Sequence, residues 1–257
     1  RVLANDNPGK PKIITEDGKA IGAMTTDGTE YTADFIVSNI DFMKTFSMLE
    51  MGRYTSISQE RFNEYGVSPS FFILYIAADM DLSFLGNSSS IGYFPSFDME
   101  TAFDFQKSFT DAAPIGITIP SISDCSMSPK NSHSIAAHQL TNYTYTRLWK
   151  EQKQRLSERV MKNVEKIIPD IKSKAIHIEA ATPATLERYT ANFNGASYGW
   201  NQAPWLRPVK TGIKNLYLAG HWAGFGGGII SAVYSGFKTA KEILRQASYK
   251  IYTERHE

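Results

Sequence analysis

Asn215-Leu216-Tyr217-Leu218-Ala219-Gly220-His221-Trp222-Ala223-Gly224-Phe225-Gly226-Gly227-Gly228-Ile229-Ile230-Ser231-Ala232-Val233-Tyr234-Ser235-Gly236 decides the fold. Leu216 to Ala219 is an apolar run bounded by Asn215 and Gly220, the pattern of a short strand covered on both faces. From Ile229 to Leu244, apolar and small residues recur at helical spacing with no proline among them, which predicts a helix. Between strand and helix stand three consecutive glycines, Gly226 to Gly228, which allow another group to approach the backbone closely. The first N–H groups of a helix lack intrahelical partners and lie at the positive end of its dipole. Such a start favours an anion or an electron-rich oxygen.

A second stretch, Ile13 to Asn39, reads as a small β-meander. Asp17-Gly18 and Asp27-Gly28 are hairpin turns between short strands, and Ala33 to Ser38 is a further buried strand ending in Ser38-Asn39.

The order of these two stretches resembles the phytoene desaturase family, which also contains carotenoid isomerases and retinol saturases. Leu216-Tyr217-Leu218-Ala219-Gly220, Gly226-Gly227-Gly228, Ala232 and Ser235-Gly236 are similar to that family's C-terminal FAD signature. The resemblance implies that Gly220, His221, Trp222, Gly226, Gly227, Gly228 and Ile229 contact the flavin cofactor. It also implies that Tyr198 and Trp200, within Asn194-Gly195-Ala196-Ser197-Tyr198-Gly199-Trp200, line the substrate path. His221, Ala223 and Phe225 depart from the commoner pattern, whereas the glycines follow it. A helix dipole aimed at a flavin would stabilise the negative charge that gathers on the reduced ring.

The family's strongest dinucleotide motif is missing. No Gly-x-Gly-x-x-Gly follows a strand near Arg1, and the sequence opens close to the meander. The expectation is a mixed α/β chain. It would form the C-terminal part of a Rossmann-like FAD/NAD(P)-binding fold without its N-terminal βαβ unit. Residues 1–57 and 193–257 would form the partial FAD-binding domain, and residues 58–192 an inserted mixed-sheet substrate domain. Such a fragment of an FAD-dependent oxidoreductase would be inactive alone and would hold FAD weakly. Its uncovered sheet edge would invite self-association. The intact enzyme would desaturate, isomerise or saturate a hydrophobic polyene or lipid-like substrate, with the cofactor carrying the redox chemistry. The rival reading is a non-catalytic module on the same scaffold that binds a hydrophobic ligand or a prenylated protein. The glycine triplet favours the enzyme, and the missing nucleotide-binding front favours the module.

Composition narrows the partners. Among 257 residues, 27 Lys and Arg balance 26 Asp and Glu, so no basic field points to nucleic acid. The single cysteine, Cys125, excludes an intrachain disulfide framework. His133 and His138 lie on opposite faces of a predicted strand, so no metal site is expected there. No apolar run approaches the ~20 residues that span a bilayer. Cytoplasmic residence is the default, with peripheral membrane contact left open.

Between the two flavin segments, Ser70 to Ala78 reads as a long strand, with shorter ones at Gly92–Pro95 and Ile115–Pro120. Asp98 could cap a helix through Phe109. Ser132 to Tyr143 should be half-buried, with Ile135, Ala137, Gln139 and Thr141 on one face. Arg147 to Ile168 is the clearest helix, with Leu148, Leu156, Val160, Val164 and Ile167 as its stripe. Lys174 to Ala180 is a strand, and Thr182-Pro183 reads as a helix cap followed by proline at the first helical position.

Overall fold

The computed structural model describes residues 9–49, 55–102, 104, 109–110 and 112–254. The chain divides into two compact units, residues 1–68 with 198–257, and residues 69–197. Both mix strands and helices.

The first unit opens with the meander: β1 (Lys12–Glu16), β2 (Lys19–Met24) and β3 (Glu30–Thr32) form an antiparallel sheet. Asp17 (φ 47°) and Gly18 (φ 75°) both adopt left-handed backbone in the β1–β2 turn, as a two-residue hairpin of the primed type requires. The strand expected from Ala33 begins later, as β4 (Ile36–Ser38). Ala33 still donates to Ile21 O in the meander, while Ile36 donates to Asn215 O. The residues between them carry the chain from one sheet to the other. After β4, Asp41 caps α1 (Phe42–Ser47), its carboxylate accepting from Lys44 N at 3.0 Å. Helix α2 (Thr55–Tyr65) follows.

The second unit is built on a five-stranded antiparallel sheet. Its strands are β5 (Ser70–Ala78), β6 (Ser90–Tyr93), β7 (Ile115–Thr118), β8 (His133–Thr141) and β9 (Ala175–Ala181), in the order β6-β7-β8-β5-β9. Short helices α3 (Met99–Ala102) and α4 (Pro120–Ser123) interrupt the strands. Helix α5 (Trp149–Glu165) covers one face. Phe72, Leu74, Ile76, Ile117, Ile135 and Ala137 form one core with Leu156, Val160 and Val164 of α5. Leu148, expected in the apolar stripe, is 54% exposed just before the first helical turn. Trp149 takes its place in the core and donates its indole N–H to Tyr143 O at 3.0 Å. The helix expected from Asp98 to Phe109 is only partly described. Phe109 itself has φ 68°, so it is not helical, and its ring packs at 5.3 Å from Phe72. After α6 (Ile171–Lys174), Thr182 caps α7 (Pro183–Thr190) in a reciprocal capping box with Thr185.

The first unit resumes with β10 (Leu216–Leu218), which pairs in parallel with β4, and ends in α8 (Ile229–Glu254). Its core is aromatic. The Trp200 ring lies 4.8 Å from Phe42, 5.0 Å from Trp222 and 5.7 Å from Tyr65. Among the described residues no helix is long and apolar enough to cross a membrane, and no cluster of His, Cys, Asp or Glu could hold a metal ion.

Candidate functional site

The site is the turn that joins β10 to α8. Ala219 N donates to Ser38 O, extending the parallel pairing to the end of β10. Gly220, φ 89°, then takes a backbone conformation closed to most side chains, and a Cβ there would overlap the Asn39 side chain. Two hydroxyls on the inner face of α8 fix the helix against this strand. Ser235 Oγ accepts from Gly220 N at 2.7 Å, and Thr239 Oγ1 donates to Leu218 O at 2.9 Å. Ser235 is fully buried. Ser235 belongs to the signature read from sequence, without a role there, and Thr239 was not expected at the site. Their spacing on one helix face was the available signal.

The three glycines do different jobs. Gly226 (φ 94°) and Gly228 (φ 90°) require left-handed backbone. Beside Gly228 nothing lies within 4 Å of the position a Cβ would take. Gly227 is the opposite case: a Cβ there would overlap the Tyr198 side chain, and its amide donates to Gln202 Oε1 at 2.6 Å. The first intrahelical bond of α8 runs from Ala232 N to Gly228 O. Among the described residues no protein acceptor meets the amides of Gly228, Ile229 and Ile230. The Ile229 and Ile230 side chains are exposed. A flat group carrying oxygens can therefore reach these amides without displacing protein, and a cofactor with an electron-rich edge fits the backbone present.

The other expected contacts separate by burial. The His221 side chain is half-buried. Burial pushes its imidazole below the ordinary histidine value, with the Asp41 carboxylate pulling weakly the other way. It is therefore uncharged at neutral pH. Trp222 is 2% exposed, and its carbonyl accepts from the Trp200 indole at 2.9 Å. The Trp222 ring belongs to the aromatic core, which leaves only its backbone near the turn. Trp200 is likewise fully buried. Its ring and its N–H are both engaged inside the first unit. Tyr198 is half-buried against Gly227 and remains at the site. Arg207 donates to Pro204 O and Leu206 O, a structural role in its own loop.

Gln202 is the residue sequence reasoning missed. Besides accepting from Gly227, its amide nitrogen donates to Trp200 O at 2.7 Å and Tyr198 O at 3.3 Å. It also lines a cleft of about 470 Å³ with Ala203, Pro204, Phe225 and Gly226. A glutamine beside a proline-rich loop carries no motif, so only the fold brings it to the turn.

Comparison with known proteins gives the family. The chain is 26% identical over 248 residues to the chloroplastic prolycopene isomerase of Daucus carota, covering 90% of this chain and 38% of that protein. It is 25% identical over 251 residues to the neurosporene-forming phytoene desaturase of Rhodobacter capsulatus, covering 90% and 47%. The chain thus spans less than half the length of these relatives. Among solved structures, an oxidoreductase from Methanosarcina mazei superposes with a TM-score of 0.56 at 17% identity, over 90% of this chain and 48% of that one, which is likeness of fold. Residues 95–244, more than half of the chain and including the glycine turn and most of α8, match the flavin containing amine oxidoreductase family, and to that family the chain belongs.

Proposed function

We propose that this chain supplies the flavin-facing and substrate-holding parts of an FAD-dependent oxidoreductase acting on a hydrophobic polyene or a related lipid. The observation that carries the proposal is the pair of features at the turn: three consecutive helix-opening amides without protein acceptors, beside a glycine with open space above it. A module that bound no flavin would have little use for either. FAD, when bound, would supply a ring able to accept and return hydride equivalents. The amides of Gly228, Ile229 and Ile230 would hold its electron-rich edge, Gly220 and Gly226 would keep the backbone clear, and neutral His221 would offer a hydrogen bond without adding charge. The names of the relatives, a prolycopene isomerase and a phytoene desaturase, support a polyene. Desaturation, isomerisation and saturation all remain within the proposal.

What is uncovered supports the finer fold assignment. Parallel sheets are ordinarily buried on both faces, yet β4 and β10 form a pair of their own. Val37 is 47% exposed. Along α8, Ile229, Ile230, Val233, Phe237 and Leu244 all point into solvent. These surfaces suit the βαβ unit of a Rossmann-like FAD-binding domain, of which residues 1–57 and 193–257 would be the remainder. In the second unit, residues 69–197, which overlaps the expected substrate domain of residues 58–192, the sheet face away from the core carries Phe71, Ile73, Tyr75, His138 and Leu140, an apolar floor suited to a polyene.

The test is to purify the full-length gene product, look for the visible absorption of bound flavin, and assay prolycopene and phytoene. Bound flavin with turnover of a polyene is expected. A colourless protein that takes up no FAD would overturn the proposal.

A further inference from the structure

We propose that Gln202 is a positioning residue that locks the glycine turn and divides its amides, Gly227 going to the protein and Gly228 to Ile230 to a ligand oxygen. The inference rests on the flavin reading of the site for its ligand, but not for the lock itself.

One side chain makes three hydrogen bonds here. Its Nε2 donates to Trp200 O at 2.7 Å and to Tyr198 O at 3.3 Å. Its Oε1 accepts from Gly227 N at 2.6 Å. The two carbonyls can only accept, and the Gly227 amide can only donate, so the glutamine amide has one permitted orientation. Turning it over would set N–H against N–H and oxygen against oxygen.

The loop that holds Gln202 is itself fixed. Tyr198 N donates to Ser68 Oγ at 3.0 Å, Ser68 N donates to Gly199 O at 2.9 Å, and the Trp200 indole is bonded inside the aromatic core. Gln202 therefore transmits the position of a rigid wall to a glycine run that has little rigidity of its own. Tyr198 packs on the same glycine and sets how closely the wall can approach. Without Gln202 the turn would gain freedom at the amides that must meet a ligand, and a binding site 1 Å too loose loses much of its advantage.

Two substitutions separate lock from bulk. Gln202→Leu keeps the size and removes all three bonds. Gln202→Glu keeps the acceptor for Gly227, but at neutral pH it has nothing to donate to the two carbonyls. Only when protonated, below about pH 4.3, does it regain a donor. Amide hydrogen exchange, resolved at Gly227 by NMR on this chain, reads the lock without any cofactor. Gly227 should be protected in the wild type and should exchange at least about tenfold faster in Q202L. In Q202E, where the two carbonyls repel the carboxylate and drive it off the turn, Gly227 should be fast at neutral pH, with its protection returning in acid. Equal exchange in wild type and Q202L overturns the lock. FAD titrated into the full-length gene product reads the positioning role, and Q202L should bind about tenfold more weakly. Unchanged affinity with a lost lock overturns positioning. Should the wild type bind no FAD at all, the flavin reading fails, and the exchange result still decides the lock.

Discussion

His221 and Gly227 share one turn, and each makes a prediction of its own. His221 is held below its ordinary value by burial, and His138 is shifted the same way for the same reason. In such a case the unfolded chain binds a proton that the folded chain refuses. Stability is then fully present above about pH 6.5 and declines as pH falls through that value toward the folded one. His221→Gln should flatten this acid-side decline while leaving the urea midpoint at about pH 8 little changed. An unaltered slope between about pH 8 and pH 5 would show that the ring is already free to protonate in the folded chain. Gly227→Ala is a steric experiment, since its methyl would run into Tyr198. A loss of ~1–3 kcal/mol is expected in denaturant unfolding. Gly228→Ala meets no neighbour, but φ 90° strains any residue with a Cβ, so the cost there is conformational.

At the scale of elements, what could be read from sequence was what local chemistry fixes. Ser70–Ala78 was legible as a strand to the residue, because an apolar run of that length has few alternatives. Thr182-Pro183 announced α7 because capping is local. Thr182→Ala removes the Oγ1 that accepts from Thr185 N, one half of the reciprocal cap, and should cost ~1 kcal/mol, seen as a lower thermal midpoint; an unchanged midpoint would contradict the cap. The glycine turn and its helix were legible for the same reason. What was not legible depends on packing. Trp200 was singled out only through the family resemblance, and nothing local shows that Phe42, Tyr65 and Trp222 close around it from distant parts of the sequence. Leu148 and Trp149 were exchanged because periodicity cannot say which residue starts the buried stripe. Gln139 was placed correctly on the inner face of β8, but its cost was invisible. It is 2% exposed, and neither amide atom finds a protein partner, as also for Ser70 Oγ and Thr141 Oγ1 nearby. Gln139→Leu should hold or raise stability, by up to ~1–3 kcal/mol. A loss of that size would mean the amide is bonded in solution.

Across the whole molecule, the dominant feature is apolar surface left uncovered on α8. Val233 (68% exposed) and Phe237 (61%) lie one turn apart on that face. By itself the chain should self-associate through it, and the double variant V233E/F237E should sediment as a monomer. Monomeric wild type at the same concentration would argue that the face is less sticky than its composition. The same helix carries the functional reading in its opening turn, so the most direct measurement is made there. Amide hydrogen exchange of Gly228, Ile229 and Ile230 should be followed in the full-length gene product with and without FAD. Binding should slow these three at least about tenfold and leave Gly227, already held by Gln202, unchanged. Exchange at the three that is the same with FAD bound as without it would mean the flavin lies elsewhere, and the glycine turn would lose its assigned role.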